Sequence, residues 1–501
     1  MEYIIAVDIG TQGTKAAVFD KNLKVLQTAF CESRIILSEN RGIWQEPEEI
    51  YQSVLESIRQ AVSGSGVSAS DIGGIGIDSQ MAGIMGVDKN GDPVTVYDSW
   101  LDTRCGKYVK YMEEEAEERI IEITGSPVSY AHGPKILWWK KERPDVYKKV
   151  YKFVLPHVFV TNRLAGKQGK DLYMDYTCIQ YSGFGDNKKK VWSEELLDTF
   201  QVEHDKMPDI LSPFQGVGFL SKAAADFCGL REGTPIAAGA GDTAASVFGA
   251  GLFHEGTILD CAGTASVLCS MVKEYRPDRE HKTMVMMRAP VDGQWYPLAY
   301  INGGGLCIRW FRDLFGDADY RTLEKEAETV PAGSGGLVFI PHFEGRVFPY
   351  NPDIRGSFTG LNWNHKRGHM YRAVLEGIAY EYKYYQSVLK ELFPECKFDN
   401  MWAAGGGAKS PLFLKIKSRI LGADIMSFEE EDTALIGSAT IAGISTGMIT
   451  DYEKVIMESK RLKQEYQAET EESGVYRTMA EEYLETIKAL TEVYKKRKDS
   501  L

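Results

Sequence analysis

The sequence predicts an α/β protein made of two related domains that face one ligand across a cleft. Strand-like apolar runs alternate with amphipathic stretches of helical spacing, which is typical of α/β architecture. A chain of 501 residues, 44% of them hydrophobic, can bury the cores of two domains. One short motif, an aspartate followed by a Gly-Thr turn between apolar runs, occurs near the start of each half.

The first apolar run, Ile4 to Val7, leads into Asp8 and a glycine turn, and a second run, Ala16 to Phe19, follows the turn. This pattern predicts a β-hairpin. Because glycine leaves backbone N–H groups accessible, the turn and the hydroxyls of Thr11 and Thr14 are suited to bind a phosphate. Asp8 is suited to a metal ion or a water near that phosphate. The spacing fits neither a GxGxxG fingerprint nor a P-loop, and an ordinary glycine-containing hairpin is the alternative.

The following stretches predict the rest of the first domain and the end of the chain. "EEIYQSVLESIRQAVSG" has apolar residues at helical spacing. "GGIGIDSQ" and "GIMGVDKNGDPV" predict strands, and the second is closed by a hairpin turn at Asn90 and Gly91. Beyond residue 450 the chain is charged and has a helical pattern, which predicts a packed or solvated helical tail.

The Gly-Thr motif returns at residues 256–269, "GTILDCAGTASVLC". Asp260 again precedes the turn, with the spacing D-x-x-G-T in place of D-x-G-T. The repetition predicts that each half carries one phosphate-facing hairpin, so that two related domains meet a single phosphate chain.

Residues 235–251, "PIAAGAGDTAASVFGAG", place Asp242 where a strand meets a helix of small residues. A carboxylate at such a junction, flanked by Gly241 and Thr243, can approach a substrate hydroxyl and remove its proton. Apart from this proton removal, phosphoryl transfer depends on aligning the hydroxyl with the phosphate and on neutralising the phosphate charge. A helix N-cap is the alternative role for Asp242.

Two glycine-rich segments each join a strand to a helix. Residues 400–425, "NMWAAGGGAKSPLFLKIKSRILGADI", contain three successive glycines that let a flat ligand such as adenine or its ribose lie against the backbone. Ser410, just beyond them, can cap the helix and bond the ligand. Residues 300–315, "YINGGGLCIRWFRDLF", repeat the design. A plain strand-to-helix turn seldom needs three glycines, so the pattern favours a ligand site.

Composition narrows the classes of function. A formal net charge of −13 argues against a general nucleic-acid or anionic-membrane surface. No apolar run has the length of a membrane helix and no signal-peptide pattern begins the chain, so we expect a cytoplasmic protein without nucleic-acid or membrane partners. The eight cysteines form no CxxC pair and the eight histidines no HExxH pattern, which indicates reduced thiols and no zinc site.

Together these segments resemble the FGGY carbohydrate kinases, a family of the actin, Hsp70 and sugar-kinase superfamily. The resemblance runs from residue 3 to about residue 450 in the family's order, through "DIGTQGTKA", "WQEPEEIY", "DSQMAG", "SWLDTR", "PKILWW", "GDTAASVFGAG", "GTAS" and "AAGGGAKS". The most specific segment is "GSFTGLNWNHKRGHMYRAVLEG", residues 356–377, which is similar throughout to the family's C-terminal signature.

The resemblance implies two actin-like (ribonuclease H-like) domains around a central cleft. Residues 1–245 would form the N-terminal domain, which binds the sugar and carries the first phosphate loop. Residues 246–450 would form the C-terminal, nucleotide-binding domain, and residues 451–501 a helical tail. The implied cofactors are ATP and Mg²⁺, and the implied partner is a small sugar. A homodimer is common in such kinases.

The resemblance also implies roles for single residues. Asp242 matches the catalytic base, and Asp8 matches the acid that lies near Mg²⁺ or its waters. The positions implied for ATP lie in the phosphate-facing turns and around the base and ribose: Thr11, Gln12, Gly13, Lys15, Thr264, Gly305, Gly406, Gly407 and Ser410.

On the sugar side, the chain is similar to xylulose kinases at a Gln-Met loop and at a W-x-D-x-R motif. Trp100 is suited to pack on the carbon face of the sugar while polar residues bind its hydroxyls. As alternatives, the methionine belongs to the core and the aspartate and arginine of the motif form a structural ion pair. The residues implied for the sugar are Gln80, Met81, Trp100, Asp102, Arg104, Asp242 and Thr243.

Four positions depart from the family pattern. Ala82 stands where xylulose kinases usually carry histidine, so xylulose is one candidate among several. Thr243 stands where Asn or Gln is common, which removes a longer hydrogen-bonding amide. His132 and Trp139 replace a small and an aliphatic residue of the N-terminal signature, with packing as the expected consequence.

We therefore expect an ATP-dependent kinase of a small sugar, with a ketopentose such as xylulose as its substrate. Ribulose, glycerol and an erythritol-like polyol are alternative substrates. A catalytically idle sugar-binding regulator and a chaperone-like ATPase are alternative functions. Asp242 and both phosphate turns argue against the regulator, and the lack of an evident peptide-binding domain argues against the ATPase.

Overall fold

The computed structural model describes residues 2–38, 42–316, 318–429, 432–468 and 473–498. In this part of the chain none of the helices combines the length and the apolar character that a membrane crossing requires. The eight cysteines all lie in the described ranges and are free thiols.

Strands and helices alternate along the described residues. The strands are β1 Tyr3–Ile9, β2 Gly13–Asp20, β3 Val25–Glu32, β4 Ile36–Leu37, β5 Ile43–Gln45, β6 Ile72–Ser79, β7 Met85–Val87, β8 Tyr97–Asp98, β9 Lys152–Val154, β10 Tyr173–Asp175, β11 Gly185–Asp186, β12 Val191–Trp192, β13 Asp209–Leu211, β14 Gly216–Phe219, β15 Pro235–Ala237, β16 Ala240–Gly241, β17 Thr257–Ala262, β18 Ser266–Ser270, β19 Val285–Arg288, β20 Trp295–Ile301, β21 Val338–Ile340, β22 Ser357–Thr359, β23 Asn400–Ala404, β24 Asp424–Phe428 and β25 Leu462–Tyr466.

The α-helices are α1 Pro47–Ser65, α2 Gly106–Thr124, α3 His132–Glu142, α4 Pro144–Tyr147, α5 Pro156–Leu164, α6 Glu194–Thr199, α7 Lys222–Cys228, α8 Asp242–Gly249, α9 Gly304–Leu314, α10 Tyr320–Glu328, α11 Arg367–Leu392, α12 Pro411–Leu421, α13 Thr433–Ser445, α14 Tyr452–Ser459 and α15 Ser473–Lys498. Short 3₁₀ helices lie at Ala69–Asp71, Gly169–Asp171, Ile179–Ser182, His204–Lys206 and Gly406–Lys409.

Two mixed sheets share one plan, as the repeated motif predicts. The first has the strand order β14-β15-β6-β1-β2-β3, with β16 also paired to β6, and the second has the order β19-β20-β18-β17-β23-β24-β25. In the first sheet the antiparallel hairpin β1–β2 lies beside the parallel strand β6. In the second, β17–β18 lies beside the parallel strand β23 in the same way. Each parallel strand arrives through a crossover, which places helices against the sheets.

The hairpin of the first sheet is buried on both faces. Because side chains alternate along a strand, Ile5 and Val7 lie in one apolar cluster with residues of α1, including Ile50. Ile4 and Ala6 point the other way, into a cluster with α13. Helix α1 is therefore the helix that its apolar spacing predicts.

The second sheet uses its two faces differently. Ile258 and Met401 lie in a cluster with residues of α11 and α12, so this face carries the helical layer of the second domain. Leu259 and Trp402, on the opposite face, belong to the same cluster as the core of the first domain. The two domains are thus joined by apolar packing as well as by the chain.

Helices α8 and α13 pack against each other at very short range. A Cβ atom on Gly249 would lie 2.0 Å from Thr433 O, and one on Gly437 would lie 2.0 Å from Ala245 O. Glycine is therefore required at both positions. Although α13 comes late in the chain, it packs on the first sheet.

The end of the chain is only partly the helical tail that its charge pattern predicts. Residues Leu462–Tyr466 form β25, the edge strand beside β24, so the prediction of helix is wrong there. Pairing with an exposed strand edge overrides the local preference of this charged segment. Helix α15 then packs on the second domain through Tyr476 and Tyr483, whose side chains are buried.

Candidate active site

The first glycine turn joins β1 to β2, as predicted. A Cβ atom on Gly13 would lie 2.4 Å from Cys31 O of β3, so this position requires glycine. Thr14 is fully buried, and its hydroxyl lies 2.7 Å from Ser53 Oγ of α1. The prediction that the Thr14 hydroxyl faces a phosphate is wrong, because the packing of α1 turns it into the core.

Strand register places two charged residues beside Asp8. Lys15 lies opposite it on β2, and Asp78 lies beside it on β6. Asp78 is fully buried, and its Oδ2 accepts a hydrogen bond from the Ser438 hydroxyl of α13 (2.6 Å). Burial raises the pKa of Asp78 well above its ordinary value, and the charge of Asp8 raises it further. Burial and the neighbouring carboxylate thus favour the protonated form of Asp78.

The pKa of Asp8 rises to about 6, first because of burial and next because of the charge of Asp432. Lys15 and a hydrogen bond from Asp78 oppose this rise. Lys15 Nζ lies 2.9 Å from Asp432 Oδ2, in the segment that enters α13. Burial works against the charge of Lys15, but Asp432 and the neighbouring carboxylates raise its pKa overall. The predicted metal acid and the predicted phosphate lysine thus share one cluster.

Asp242 is the first residue of α8, immediately after β16. Since β16 runs parallel to β6, Ala240 and Gly241 lie beside Asp78 and Ser79, which brings Asp242 to the same sheet end as Asp8. The residue at the N-cap of α8 is Gly241, so the alternative role of Asp242 as the cap is wrong.

The pKa of Asp242 rises to about 7. Burial is the main cause and the charge of Asp8 adds to it, while hydrogen bonds from Thr243 act against it. Both bonds go to Oδ1, from the Thr243 backbone N–H (2.5 Å) and from its hydroxyl (3.1 Å). The Asp242 side chain is still partly accessible, although protein atoms surround it. A carboxylate that titrates near neutrality and remains accessible is suited to accept a proton.

The second glycine turn lies between β17 and β18, with Thr264 exposed at its tip. The start of α9 is fitted closely against it. A Cβ atom on Gly305 would lie 1.9 Å from Gly263 O, and the Leu306 N–H donates to Thr264 O (3.3 Å). Gly305 therefore has a packing reason to be glycine, and its contact with a nucleotide stays a prediction.

Asp260, which precedes this turn, is fully buried and does not share the environment of Asp8. Its Oδ1 accepts from the Tyr382 hydroxyl of α11 (2.8 Å), and its Oδ2 accepts from Lys417 Nζ of α12. Burial is the first cause that lowers the pKa of Lys417, and the charge of Asp260 opposes it. This aspartate is part of a buried ion pair.

The three glycines of the segment after β23 differ in backbone conformation and in the space beside them. Gly405 adopts a positive φ of 76°. A Cβ atom on Gly407 would lie 2.4 Å from Ala262 Cβ, whereas one on Gly406 would meet only Ala262 O, at 3.7 Å. Gly406 is thus the glycine with space beside it, as a bound ligand requires. Ser410 caps α12 by accepting from the Phe413 N–H (3.2 Å), as predicted for the helix start.

A chain of hydrogen bonds connects the phosphate turn to the predicted sugar side. Trp100 Nε1 donates to Thr11 Oγ1 (3.0 Å), and Thr11 Oγ1 donates to Gln80 Oε1 (3.1 Å). Gln80 Nε2 donates in turn to Gln45 Oε1 (2.9 Å). Gln12, next to Thr11, is exposed. The structure therefore brings Trp100, Gln80 and the first turn together.

Asp102 and Arg104 form an ion pair that occupies most of their polar atoms. Asp102 Oδ2 accepts from the Ile43 N–H (3.0 Å) and from Arg104 Nε (2.8 Å). Arg104 Nη2 also donates to Asp98 Oδ1 (2.6 Å), and its guanidinium carbon lies 4.5 Å from the ring centroid of Trp138. This is the arrangement of the structural alternative, and a role in sugar binding stays a prediction.

Met81 lies in the core of the first domain, 5% exposed, against Gly241. A Cβ atom on Gly241 would lie 2.4 Å from Met81 Cγ, so the methionine packs directly behind the residue that precedes Asp242. The carbonyl of Met81 lies 2.5 Å from His132 Nε2. Burial lowers the pKa of His132 to about 4, so its imidazole is neutral and donates to this carbonyl.

Sequence reasoning did not assign three residues that lie at this site: Asp78, Asp432 and Gln45. Asp78 precedes Gln80 by two positions in "DSQMAG", and only the register of β6 with β1 reveals that it faces Asp8. Asp432 opens the apolar segment "DTALIGSATIAG", where an acid reads as a helix cap. Gln45 lies inside "WQEPEEIY" without a local sign of its role.

This geometry defines a class of protein. An accessible carboxylate that titrates near neutrality, beside a second acid and a lysine, can take a proton from an alcohol that lies next to a phosphate chain. The register of β1, β2, β6 and β16 places these two carboxylates and the lysine at one end of the first sheet. The class is that of phosphotransferases that act on an alcohol group.

Comparison with known proteins gives the family. The model of the FGGY family of carbohydrate kinases, N-terminal domain, matches residues 3–249, and that of the C-terminal domain matches residues 261–446. The chain belongs to the FGGY family of carbohydrate kinases. The resemblance found in the sequence, the two-domain actin-like fold and the activity of an ATP-dependent sugar kinase are thereby confirmed. The roles of single residues stay predictions.

Relatives that match over about nine-tenths of their length include proteins named xylulose kinase and gluconokinase. A xylulose kinase of Lactococcus lactis subsp. lactis is 28% identical over 464 residues, which cover 91% of this chain and 90% of the relative. A gluconokinase of Bacillus subtilis is 27% identical over 467 residues, 90% of this chain and 89% of the relative. The crystal structure of ligand-bound xylulose kinase from Lactobacillus acidophilus superposes with a TM-score of 0.92 at 25% identity, covering 99% of this chain and 100% of the other.

Proposed function

We propose that the protein phosphorylates a hydroxyl of a ketopentose, with xylulose as the first candidate. The observation that carries this proposal is Asp242, an accessible carboxylate with a pKa of about 7 at the sheet end that also holds Asp8. Relatives named xylulose kinase, similar over nine-tenths of their length, support the choice of sugar.

In this proposal the sugar hydroxyl is the nucleophile and Asp242 is the general base. The hydroxyl oxygen forms a bond to the γ-phosphorus of ATP while the bond from that phosphorus to the β–γ bridging oxygen breaks. The hydroxyl proton passes to the Asp242 carboxylate, and ADP leaves with the bridging oxygen. Trp100 lies near the sugar, and its hydrogen bond to Thr11 aligns the sugar side with the phosphate side.

Asp8 and Lys15 act on the phosphate side. Carboxylate oxygen is the ligand type that Mg²⁺ takes in proteins, and the partly accessible carboxylate of Asp8 would fit that requirement. Mg²⁺ supplies neutralisation of phosphate charge when it is bound. Thr11, Gln12, Gly13 and Thr264 contact the phosphates, while Gly305, Gly406, Gly407 and Ser410 border the base and ribose.

We propose the same division of the chain that the sequence predicts. Residues 1–245 bind the sugar and carry the first phosphate turn, residues 246–450 bind the nucleotide, and residues 451–501 form a C-terminal extension of the second domain. The packing of α13 on the first sheet qualifies this division, since the end of the nucleotide-binding segment completes the sugar-binding domain.

Gluconate is the second candidate, because a relative that matches over about nine-tenths of its length is named gluconokinase. Gluconate carries a carboxylate, whose binding favours a cation that is free to pair with it. Two cations that contact Asp102 of the W-x-D-x-R motif are already paired: Arg104 with Asp98 and Asp102, and Lys135 with the carbonyl oxygens of Asp102 and Tyr130. A neutral sugar therefore fits this side better than an aldonate.

The test is release of ADP from Mg·ATP with xylulose, ribulose, gluconate, glycerol and erythritol, using the wild type and Asp242→Asn. We expect strong stimulation by xylulose, reduced roughly 10²-fold or more in the variant, which is the scale of losing a general base. Asp226→Asn, on the exposed face of α7, is the matched control. If gluconate gave the strongest stimulation, the proposed substrate would be gluconate and not a ketopentose. Binding of ATP and a sugar without ADP release would indicate an idle regulator.

A further inference from the structure

We propose that a buried chain of side chains, His157, Asp175 and Thr177, positions the base Asp242 relative to the loop that holds Gln80. The inference rests on the proposed function, since it concerns how the base is aimed. None of the three side chains touches the Asp242 carboxylate in the structure, so we treat them as positioning residues.

This series of side-chain contacts begins at the end of β6. Ser79, the last residue of that strand, directly precedes Gln80. Its Oγ lies 2.7 Å from His157 Nδ1, and the backbone N–H of His157 donates to the same oxygen (3.3 Å). Two bonds from the first turn of α5 therefore hold the strand end from which the sugar-side loop departs.

His157 continues the chain to Asp175. His157 Nε2 lies 3.1 Å from Asp175 Oδ2, within ion-pair distance, but the two atoms form no hydrogen bond, and neither has a hydrogen-bond partner among the residues that the structure describes. The facing carboxylate favours the tautomer with the proton on Nε2, which leaves Nδ1 to accept from the Ser79 hydroxyl. Both side chains are fully buried, so water does not screen the electrostatic interaction between them.

Asp175 is connected through Thr177 to Gly241, the residue before Asp242. Its Oδ1 accepts from the Thr177 N–H (2.9 Å) and from the Thr177 hydroxyl. The Thr177 Oγ1 then accepts from the Gly241 N–H (3.0 Å). Gly241 is the N-cap of α8, so this bond fixes the peptide between Ala240 and Gly241, one residue before Asp242.

A second contact from the same region holds the same segment. The Tyr173 hydroxyl, two residues before Asp175, donates to Ala238 O (2.6 Å). Gly239, which follows, has a φ of 81°, and a Cβ atom there would lie 1.9 Å from Ile77 O of β6. Residues 238–241 are therefore held by β10 on one side and by β6 on the other, directly before the base.

The order serine, histidine, aspartate also occurs in hydrolases, but burial argues against that chemistry here. Ser79, His157 and Asp175 each have 0% exposed surface, so no acyl substrate reaches the Ser79 oxygen. The hydrogen bonds at both ends of this buried series, from Ser79 to His157 and from Asp175 through Thr177 to Gly241, favour one arrangement of the elements that carry them. A displacement of about 1 Å at a reacting group can cost on the order of 10²-fold in rate, so this arrangement bears on the base.

The decisive variants are Thr177→Val, which keeps the shape and removes the acceptor for Gly241, and Thr177→Ser, which keeps the hydroxyl. We expect Thr177→Val to lower kcat about 10-fold with the KM for the sugar and for ATP changed less than about twofold. Thr177→Ser restores kcat. Thr440→Val, a buried threonine of α13 outside the chain, is the matched control and leaves kcat unchanged.

A second measurement needs neither sugar nor turnover. Hydrogen exchange by mass spectrometry, on a peptide that contains Gly241, reports the bond to Thr177 directly. We expect about tenfold faster exchange in Thr177→Val than in Thr177→Ser at equal melting temperature. Equal exchange and equal kcat in the two variants overturn the inference. The wild type and Asp242→Asn, assayed together, decide the proposed function separately. With an inactive wild type, the expected exchange pattern would still show that Thr177 holds the Gly241 N–H, while the role of Asp242 as a base would fall.

Discussion

The two hairpins of the molecule have the same topology but carry their aspartates to opposite faces of their sheets. Asp8 stands two residues before the glycine of its turn, whereas Asp260 stands three residues before its glycine. Because successive side chains of a strand point to opposite faces, one extra residue reverses the direction of the aspartate. The residue of the second hairpin that corresponds to Asp8 is Cys261.

The opposite directions lead to opposite environments. Asp8 points to the α13 side, next to Asp78, Lys15 and Asp432, and its side chain remains partly accessible. Asp260 points into the helical layer of the second domain and ends in a buried pair with Lys417. Duplication accounts for the common fold, and a one-residue difference in spacing accounts for which acid is available to a substrate.

The largest effect that this comparison predicts is on stability. Lys417→Met leaves the Asp260 carboxylate buried without its cation, and breaking such a pair costs about 3–5 kcal/mol in free energy of unfolding. The measurement is denaturant unfolding, with Lys415→Met on the exposed face of the same helix as the control. A loss no larger than that of the control would mean that the pair of Asp260 and Lys417 does not stabilise the fold.

Asp8→Asn addresses the other hairpin and should act on rate. We expect kcat to fall between about 10-fold and 10²-fold, the scale of removing a group that supports a metal ion or its ligands. The free energy of unfolding at pH 8 should not fall, because burial already opposes the charge of Asp8. Steady-state kinetics and unfolding of the same preparation test both parts. A stable variant with wild-type kcat contradicts the role of Asp8.

The raised pKa of Asp242 predicts opposite pH dependences for activity and for stability. Asp242 titrates at about 7, so kcat/KM for the sugar should rise about tenfold per pH unit below that value and level off above it. Stability should move the other way. A carboxyl whose folded pKa is raised from 3.8 to about 7 stabilises the fold when protonated, and this contribution is lost as the pH rises through 7. Unfolding of Asp242→Asn at pH 5 and pH 8 measures it, and an unchanged pH dependence of stability counts against the raised pKa.

The smallest effect concerns the pair of Lys15 and Asp432, whose side chains are 49% and 33% exposed. An exposed pair contributes at most about 1 kcal/mol, so Asp432→Asn should scarcely change stability. It should lower the pKa of Asp8, since the charge of Asp432 raises that pKa. It should also lower the KM for ATP, because Lys15 becomes free for phosphate. A raised KM would instead make Asp432 part of the phosphate site.

Much of the fold could be predicted from local patterns. The apolar runs around Asp8 and Asp260 are hairpins, the spacing of "EEIYQSVLESIRQAVSG" is a helix, and each glycine-rich segment joins a strand to a helix. These features depend on neighbours in sequence, which periodicity reports directly. The edge strand β25 was missed because it depends on a partner strand about 40 residues away, β24.

The site could be predicted only in part, for a related reason. Asp8 and Asp242 stand at strand ends, where the local pattern makes them candidates, but only the resemblance to the family implies their roles, which stay predictions. Asp78 becomes a neighbour of Asp8 only through the register of parallel strands, and Asp432 reaches Lys15 across more than 400 residues of chain. The direction of Asp260 was available in the sequence, because the extra residue before its turn decides the face. The prediction for the Thr14 hydroxyl failed because its burial depends on the packing of α1, which the local pattern does not show.

The most direct test compares Asp8→Asn with Asp260→Asn in one experiment that measures kcat and thermal unfolding. We expect Asp8→Asn to lose activity and to melt at or above the wild-type temperature. Asp260→Asn should keep kcat per folded molecule and melt lower, because Lys417 loses its buried partner. Equal losses of activity at unchanged melting temperature, or the reverse assignment of the two effects, would contradict the division of roles between the two hairpins.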